Sequence, residues 1–194
     1  MNRFVITALA LALTGCVAPV GPVEVTRFHA ADVSPLGKGG IAVEPMPLND
    51  PASLEWQSYS AAVMRQLQLL GYTEAKPGSG GQVALVSLTR RTLQPPGSRS
   101  PVSVGVGGST GSYGSGVGLG LGINLGPKPA PQIATDLAVS IRDRASGATL
   151  WEGSASFTVS AKSPLATTAL AAPKMSEALF AGFPGQSGET IEVK

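Results

Sequence analysis

The residue whose neighbours most clearly announce its chemistry is Cys16. Leu13, Thr14 and Gly15 set an aliphatic residue and two small residues before the only cysteine among 194 residues. This resembles the lipobox, at which a thiol receives a diacylglycerol and the chain is cut just before it. The upstream residues match that purpose. Asn2 and Arg3 open with positive charge, and Phe4 to Leu13 is an uncharged apolar run. That layout is the three-part plan of a secretory signal. The run is too short for a membrane span, which takes about 20 apolar residues.

The remaining reactive side chains are sparse. With one cysteine, no intramolecular disulfide can form, and a lipidated Cys16 offers no thiolate for catalysis or metal binding. His29 is the only histidine and has no spaced partner, so Ser-His-Asp, Cys-His and His/Cys zinc arrangements are not available. Its expected role is a strand-end or surface histidine. Asp136, Asp143 and Glu152 are the nearest candidates for a carboxylate pair, with a solvated structural role the simpler reading. Gly105-Val106-Gly107-Gly108-Ser109-Thr110 fails the dinucleotide fingerprint at its last position, and no helix follows. The chain also lacks the Gly-Lys-Ser/Thr of a phosphate loop, so no nucleotide is expected. Fourteen Lys and Arg against twelve Asp and Glu leave little net charge. Arg90, Arg91 and Arg99 cluster only loosely, as a solvated strand end, and no basic patch suggests nucleic acid. The expectation is a chain that is not an enzyme and carries no metal or cofactor.

The elements that would position these residues can be read in order. Residues 1–15 form the removable signal, and residues 16–22, with Pro19, Gly21 and Pro22, form a short linker. A domain follows over 23–194, long enough for one core. Val23 to Phe28 and Ile41 to Val43 suit strands. Asn49-Asp50-Pro51 predicts a helix start, and Trp56, Tyr59, Val63, Leu67 and Leu70 give it one apolar stripe up to a stop at Gly71. Val83 to Leu88 reads as a central strand buried on both faces. Thr135 to Asp143 turns at Ser146-Gly147 and returns as Thr149 to Ser160, in which Trp151, Gly153, Ala155, Phe157 and Val159 share one face. A helix is expected near Ser163-Pro164, broken or kinked at Pro173 and resumed over about Lys174 to Ala181. Ile191 to Val193 could add an edge strand.

Ten glycines fall between Gly105 and Gly126. The apolar residues between them keep strict parity: Val102, Val104 and Val106 in one arm, and Val117, Leu119, Leu121, Ile123 and Leu125 in the other. This predicts a hairpin insert over 102–126, aliphatic on one face and nearly bare on the other, with a tip at roughly Gly107 to Gly116. Val117, Leu119, Leu121 and Ile123 are its candidate partner-binding residues. The second arm is near the ~9–11 residues of a membrane-spanning strand, while the first looks too short.

Together these features resemble the bacterial lipoproteins of the domain-of-unknown-function 4136 family. The likeness rests on Leu-Thr-Gly-Cys, on Leu69-Leu70-Gly71-Tyr72, on the strand Val83 to Leu88 and on the glycine-rich insert. It rests also on Leu150-Trp151-Glu152-Gly153 after Ser146-Gly147, and on Ala178-Leu179-Phe180 with Phe183-Pro184-Gly185. The resemblance implies a compact α+β periplasmic domain and carries over no catalytic residue. Val17 stands where enterobacterial lipoproteins retained at the inner membrane have Asp, so the expected address is the outer membrane, facing the periplasm. The expected fold is α+β: a single mixed, mainly antiparallel sheet with one long helix and a C-terminal helical segment on one face. The expected role is a non-enzymatic binding or structural lipoprotein of the cell envelope. Its partners would be the membrane, through the lipid, and another envelope protein or a second copy of itself. The alternative is an oligomeric pore or secretion component built from the hairpin.

Overall fold

A computed structural model of the chain describes residues 21–94, 102–111, 114–123 and 130–194. Its elements are β1 (Val23–His29), β2 (Gly40–Pro45), α1 (Leu54–Leu69), β3 (Thr73–Glu74), β4 (Gln82–Leu93), β5 (Val102–Gly111), β6 (Gly114–Ile123), β7 (Gln132–Asp143), β8 (Thr149–Ser160), α2 (Thr168–Phe180) and β9 (Thr190–Val193). Seven strands make one sheet in the order β3-β2-β4-β7-β8-β1-β9, and β5 and β6 form a separate two-stranded sheet. β2 pairs in parallel with β3 and β4, and the other four pairings in the large sheet are antiparallel. The two helices lie on one face. The fold is the α+β arrangement expected, a mixed and mainly antiparallel sheet with its helices on one side.

The core forms where the apolar stripe of α1 meets the inward strand positions. Trp56, Tyr59, Val63 and Leu67 are buried against Ile41, Ala84, Val86, Leu137, Val139 and Ile141. The helix begins later than its sequence suggests. Asp50 Oδ1 accepts from the Ala52 N–H at 2.8 Å, which closes a turn around Pro51. The N-cap is Ser53, whose Oγ accepts from the Trp56 N–H. Gly71 ends the helix with φ +104°, and a Cβ there would stand 2.7 Å from the Gly37 carbonyl oxygen. Tyr72 then turns its hydroxyl to Gln82 Oε1, and Gln82 Nε2 donates to the Pro35 carbonyl. Burial pushes the Tyr72 hydroxyl above its ordinary pKa.

β4 is central, but not buried on both faces throughout. Ala84 and Val86 are sealed under the helices and Val83 is buried on the other side, while Leu85 and Ser87 stay partly open. β8 alternates as its sequence requires, with Trp151, Gly153, Ala155, Phe157 and Val159 inward. The C-terminal helix departs from expectation. Ser163 caps a single 3-10 turn over Pro164–Ala166, and α2 then runs unbroken through Pro173. An interior proline costs about 3 kcal/mol. Burial of Ala171, Ala172, Met175, Leu179 and Phe180 on one side exceeds that at about 1.5–3 kcal/mol for each large side chain.

The end of α2 is held by a buried cation. Arg27, inward on β1, donates from Nε to the Leu179 carbonyl and from Nη2 to the Ala178 carbonyl, both at 3.0 Å. α2 has no basic residue in its last turn, and Arg27 supplies from the sheet the positive charge that a helix C-terminus favours. Burial lowers its pKa, and the nearby Glu189 carboxylate opposes that. Trp151 stacks on Phe180 with ring centroids 5.3 Å apart, and its Nε1 donates to the Pro184 carbonyl at 2.9 Å.

Candidate functional site

β5 and β6 form the hairpin expected from the glycine-rich stretch. Residues directly opposite each other in an antiparallel pair share a face, so the register decides how the aliphatic positions are distributed. Val102 faces Ile123, Val104 faces Leu121, Val106 faces Leu119 and Gly108 faces Val117. On the other face Ser103 meets Gly122, Gly105 meets Gly120 and Gly107 meets Gly118. One face therefore collects every valine, leucine and isoleucine of the two strands, and the other is almost entirely glycine. Each strand has its outer edge unpaired among the described residues.

Two expectations about this segment change. The strands continue to Gly111 and resume at Gly114, so most of the stretch read as a tip is paired. The first arm is not short, because both arms are ten residues long. Leu125 lies outside the described residues. The hairpin leaves the large sheet between β4 and β7, where Leu93 and Gln132 face each other in register.

The other candidate residues are dispersed. Asp136 pairs with Arg91 at 2.9 Å. Asp143 accepts from the Ser146 N–H and Oγ at 2.8 and 2.7 Å, and these bonds lower its pKa. Glu152 faces Ser140 across the β7–β8 pair and accepts its hydroxyl. Four residues of strand separate Asp136 from Ser140, about 13 Å, more than the ~5–9.5 Å between paired glycosidase carboxylates. His29 ends β1, with its Nδ1 2.7 Å from the Ala30 carbonyl oxygen. Leu13, Thr14, Gly15, Cys16 and Arg99 lie outside the described residues.

Arg90 is not a solvated strand end. It pairs with Glu55 of α1, donates to Thr168 Oγ1 at 3.1 Å and the Ala166 carbonyl at 2.6 Å, and reaches Thr135 on β7. It thereby joins the sheet to the start of both helices. The Tyr59 hydroxyl is buried near this group, and burial pushes its pKa up to about 12, with Arg90 opposing.

Sequence patterning passed over two surface features. On the face without helices, Thr26, Phe28, Met46, Ser140, Glu152 and Ser154 line an open depression of ≈ 280 Å³. Phe28 was visible only as the outward member of β1. Leu48, Leu54, Leu93 and Leu170 are exposed. Leu54 carried a signal: it stands two residues before Trp56, off the stripe of α1. Among the described residues, no helix is long and apolar enough to cross a membrane.

Comparison with known proteins supplies likenesses and one assignment. An uncharacterised protein of Zymomonas mobilis subsp. mobilis is 28% identical over 218 residues, covering 89% of this chain and 80% of that protein. A PDZ domain protein of Parabacteroides distasonis superposes with a TM-score of 0.47 at 10% identity. That match covers 89% of this chain and 39% of the other, so the chain spans about two fifths of that protein's length. The PelC dodecamer of Paraburkholderia phytofirmans gives a TM-score of 0.47 at 11% identity, covering 84% of this chain and 99% of that one. A family model described as a domain of unknown function, DUF4136, matches residues 42–185, and the chain belongs to that family.

Proposed function

We propose that this chain is a lipid-anchored, non-enzymatic protein of the cell envelope that binds another envelope component through its glycine-rich hairpin. Cys16, preceded by Leu13-Thr14-Gly15, would carry the lipid, and the outer membrane facing the periplasm would be its address. The observation that carries the binding role is the one-sided register of β5 and β6. A two-stranded hairpin is marginal alone, and glycine in a strand costs about 0.5–1 kcal/mol relative to alanine. A hairpin of this composition gains from a partner that covers its aliphatic face or adds a strand to its edge. A photoreactive residue at Ser109 or Ser115 tests this in living cells. Repeated recovery of one envelope protein supports the reading, and recovery of abundant bystanders alone overturns it.

The length of the arms favours a second reading, an oligomeric pore or secretion component. Ten residues per strand match the ~9–11 needed to span a bilayer, and alternating aliphatic and small residues suit a barrel wall. Ring-shaped oligomers in detergent, with conductance lost on deleting residues 102–126, would support it. A monomer without conductance would overturn it.

A further inference from the structure

The register of the large sheet brings four separate features to one end of the domain. Val23 opens β1 beside the Glu24–Ser156 pair, and Ser156 faces Asp136, so the chain enters near the Gln132 end of β7. The hairpin leaves at that same end, where Leu93 faces Gln132. Glu55 and Thr168 both meet Arg90, which faces Thr135, so the first turns of α1 and α2 lie there as well. Asn49 Nδ2 donates to the Leu88 carbonyl, which draws the loop carrying Leu48 toward the same end. Four exposed leucines, Leu48, Leu54, Leu93 and Leu170, therefore surround the entry of the chain and the exit of the hairpin.

We infer that this end of the domain rests on the lipid surface that holds Cys16, with these four leucines against the headgroup region. The inference rests on the lipid-anchor reading above and adds an orientation to it. Seven Cα–Cα steps lead from Cys16 to Val23, a reach of at most about 25 Å. The opposite end, at the Ser146-Gly147 turn, lies beyond Asp143, which is eight residues of strand from the level of Val23, or about 27 Å. A tether of that length cannot stand the domain on that turn with its strands upright. The near end's carboxylates Glu55 and Asp136 are paired with Arg90 and Arg91, while Glu24 and Glu192 face each other across β1 and β9 at the level of Asp136.

α1 provides a matched control. Leu54 and Leu69 sit at its two ends with 80% and 79% exposure, about 22 Å apart along the axis. With Cys16 acylated, an introduced cysteine is the only thiol for an environment-sensitive dye. The full lipidated protein, as L54C, L170C or L69C, would be placed in phosphatidylethanolamine/phosphatidylglycerol vesicles containing acyl-brominated lipid. Quenching at positions 54 and 170 at least twofold stronger than at 69 is the expected result. Equal quenching at position 69 overturns the orientation. Shielding at 54 and 170 that ignores bromine, together with a doubled molecular mass, overturns it in favour of a second copy. Intact mass and vesicle flotation beside Cys16→Ser separate the two levels. A mature chain without lipid mass removes the anchor and the orientation with it, whereas a lipidated chain quenched equally at both ends removes the orientation alone.

Discussion

Gly153 offers a sharp test of how the core is held. A Cβ at this position would stand 2.8 Å from Trp151 Cζ2 and 2.9 Å from Leu179 Cδ1. The indole has little room to retreat. It is fully buried, stacked on Phe180, tilted against Phe183 with centroids 5.3 Å apart, and tied through Nε1 to Pro184. Two effects favour Gly153→Ala. One methyl group buries for about 0.8 kcal/mol, and the backbone loses less freedom by about 0.5–1 kcal/mol. Against them, overpacking costs about 1–3 kcal/mol. Moving the indole gives up a hydrogen bond of about 1 kcal/mol and aromatic contacts of about 0.5–1.5 kcal/mol. The net loss is about 2 kcal/mol, which for a domain of this size lowers Tm by about 4–8 °C. Thermal denaturation followed by circular dichroism measures it. The near-ultraviolet band of Trp151 can be isolated in a Trp56→Phe background, since these are the only two tryptophans. A variant that melts at or above the parent temperature, with that band unchanged, would refute the reasoning.

Arg27→Met should destabilise the domain by about 2–4 kcal/mol in urea, because it leaves the Ala178 and Leu179 carbonyls without their donor; Arg27→Lys should not restore it, lacking the two-pronged fork. Glu44 is held below its ordinary pKa of 4.5 by the Gly78 N–H and by Arg144. Its contribution is therefore present above pH 4.5 and lost as pH falls through the lower folded value. Glu44→Gln should flatten that acid limb, and an unchanged limb would count against the assignment. The Tyr59 hydroxyl, raised from 10.0 to about 12, contributes stability that is full below pH 10.0 and declines as pH rises toward 12; ultraviolet titration should find one tyrosine ionising that late, absent in Tyr59→Phe. Replacing residues 95–130 by a four-residue turn should leave the seven-stranded sheet folded, since Leu93 and Gln132 already face each other. Loss of cooperative melting in that variant would show that the core depends on the hairpin.

Two of the motifs that carry the family likeness, around Gly71 and around Trp151, are tightly constrained in the structure. Gly71 turns beside Gly37 where a side chain would collide. Trp151 lies over Gly153, and the Phe180, Phe183 and Pro184 region closes around it. These residues specify a fold, which is why they identify a family without identifying an activity. Sequence spacing showed most of the elements because each signal is local: period two in β8, spacings of three and four in α1, and strict parity in the hairpin. It misplaced the start of α1, because Asp50 closes a turn before the helix begins. It also expected a break or kink at Pro173, where the helix is continuous, since the burial that holds that helix together comes from β8 and β1 and is invisible along the chain.

The sequence by itself determined the α+β class and the two unlike faces of the insert, because each follows from residue type and short-range period. Only the tertiary structure decided what depends on pairing between distant segments. It made Arg90 a clasp between sheet and helices, sent Arg27 to the end of α2, and gave both hairpin arms ten paired residues. Through the register of β1, β4, β7 and β8 it also placed the chain entry, the hairpin exit and four exposed leucines at one end. No local pattern encodes that coincidence, which arises only when strands far apart in sequence lie side by side.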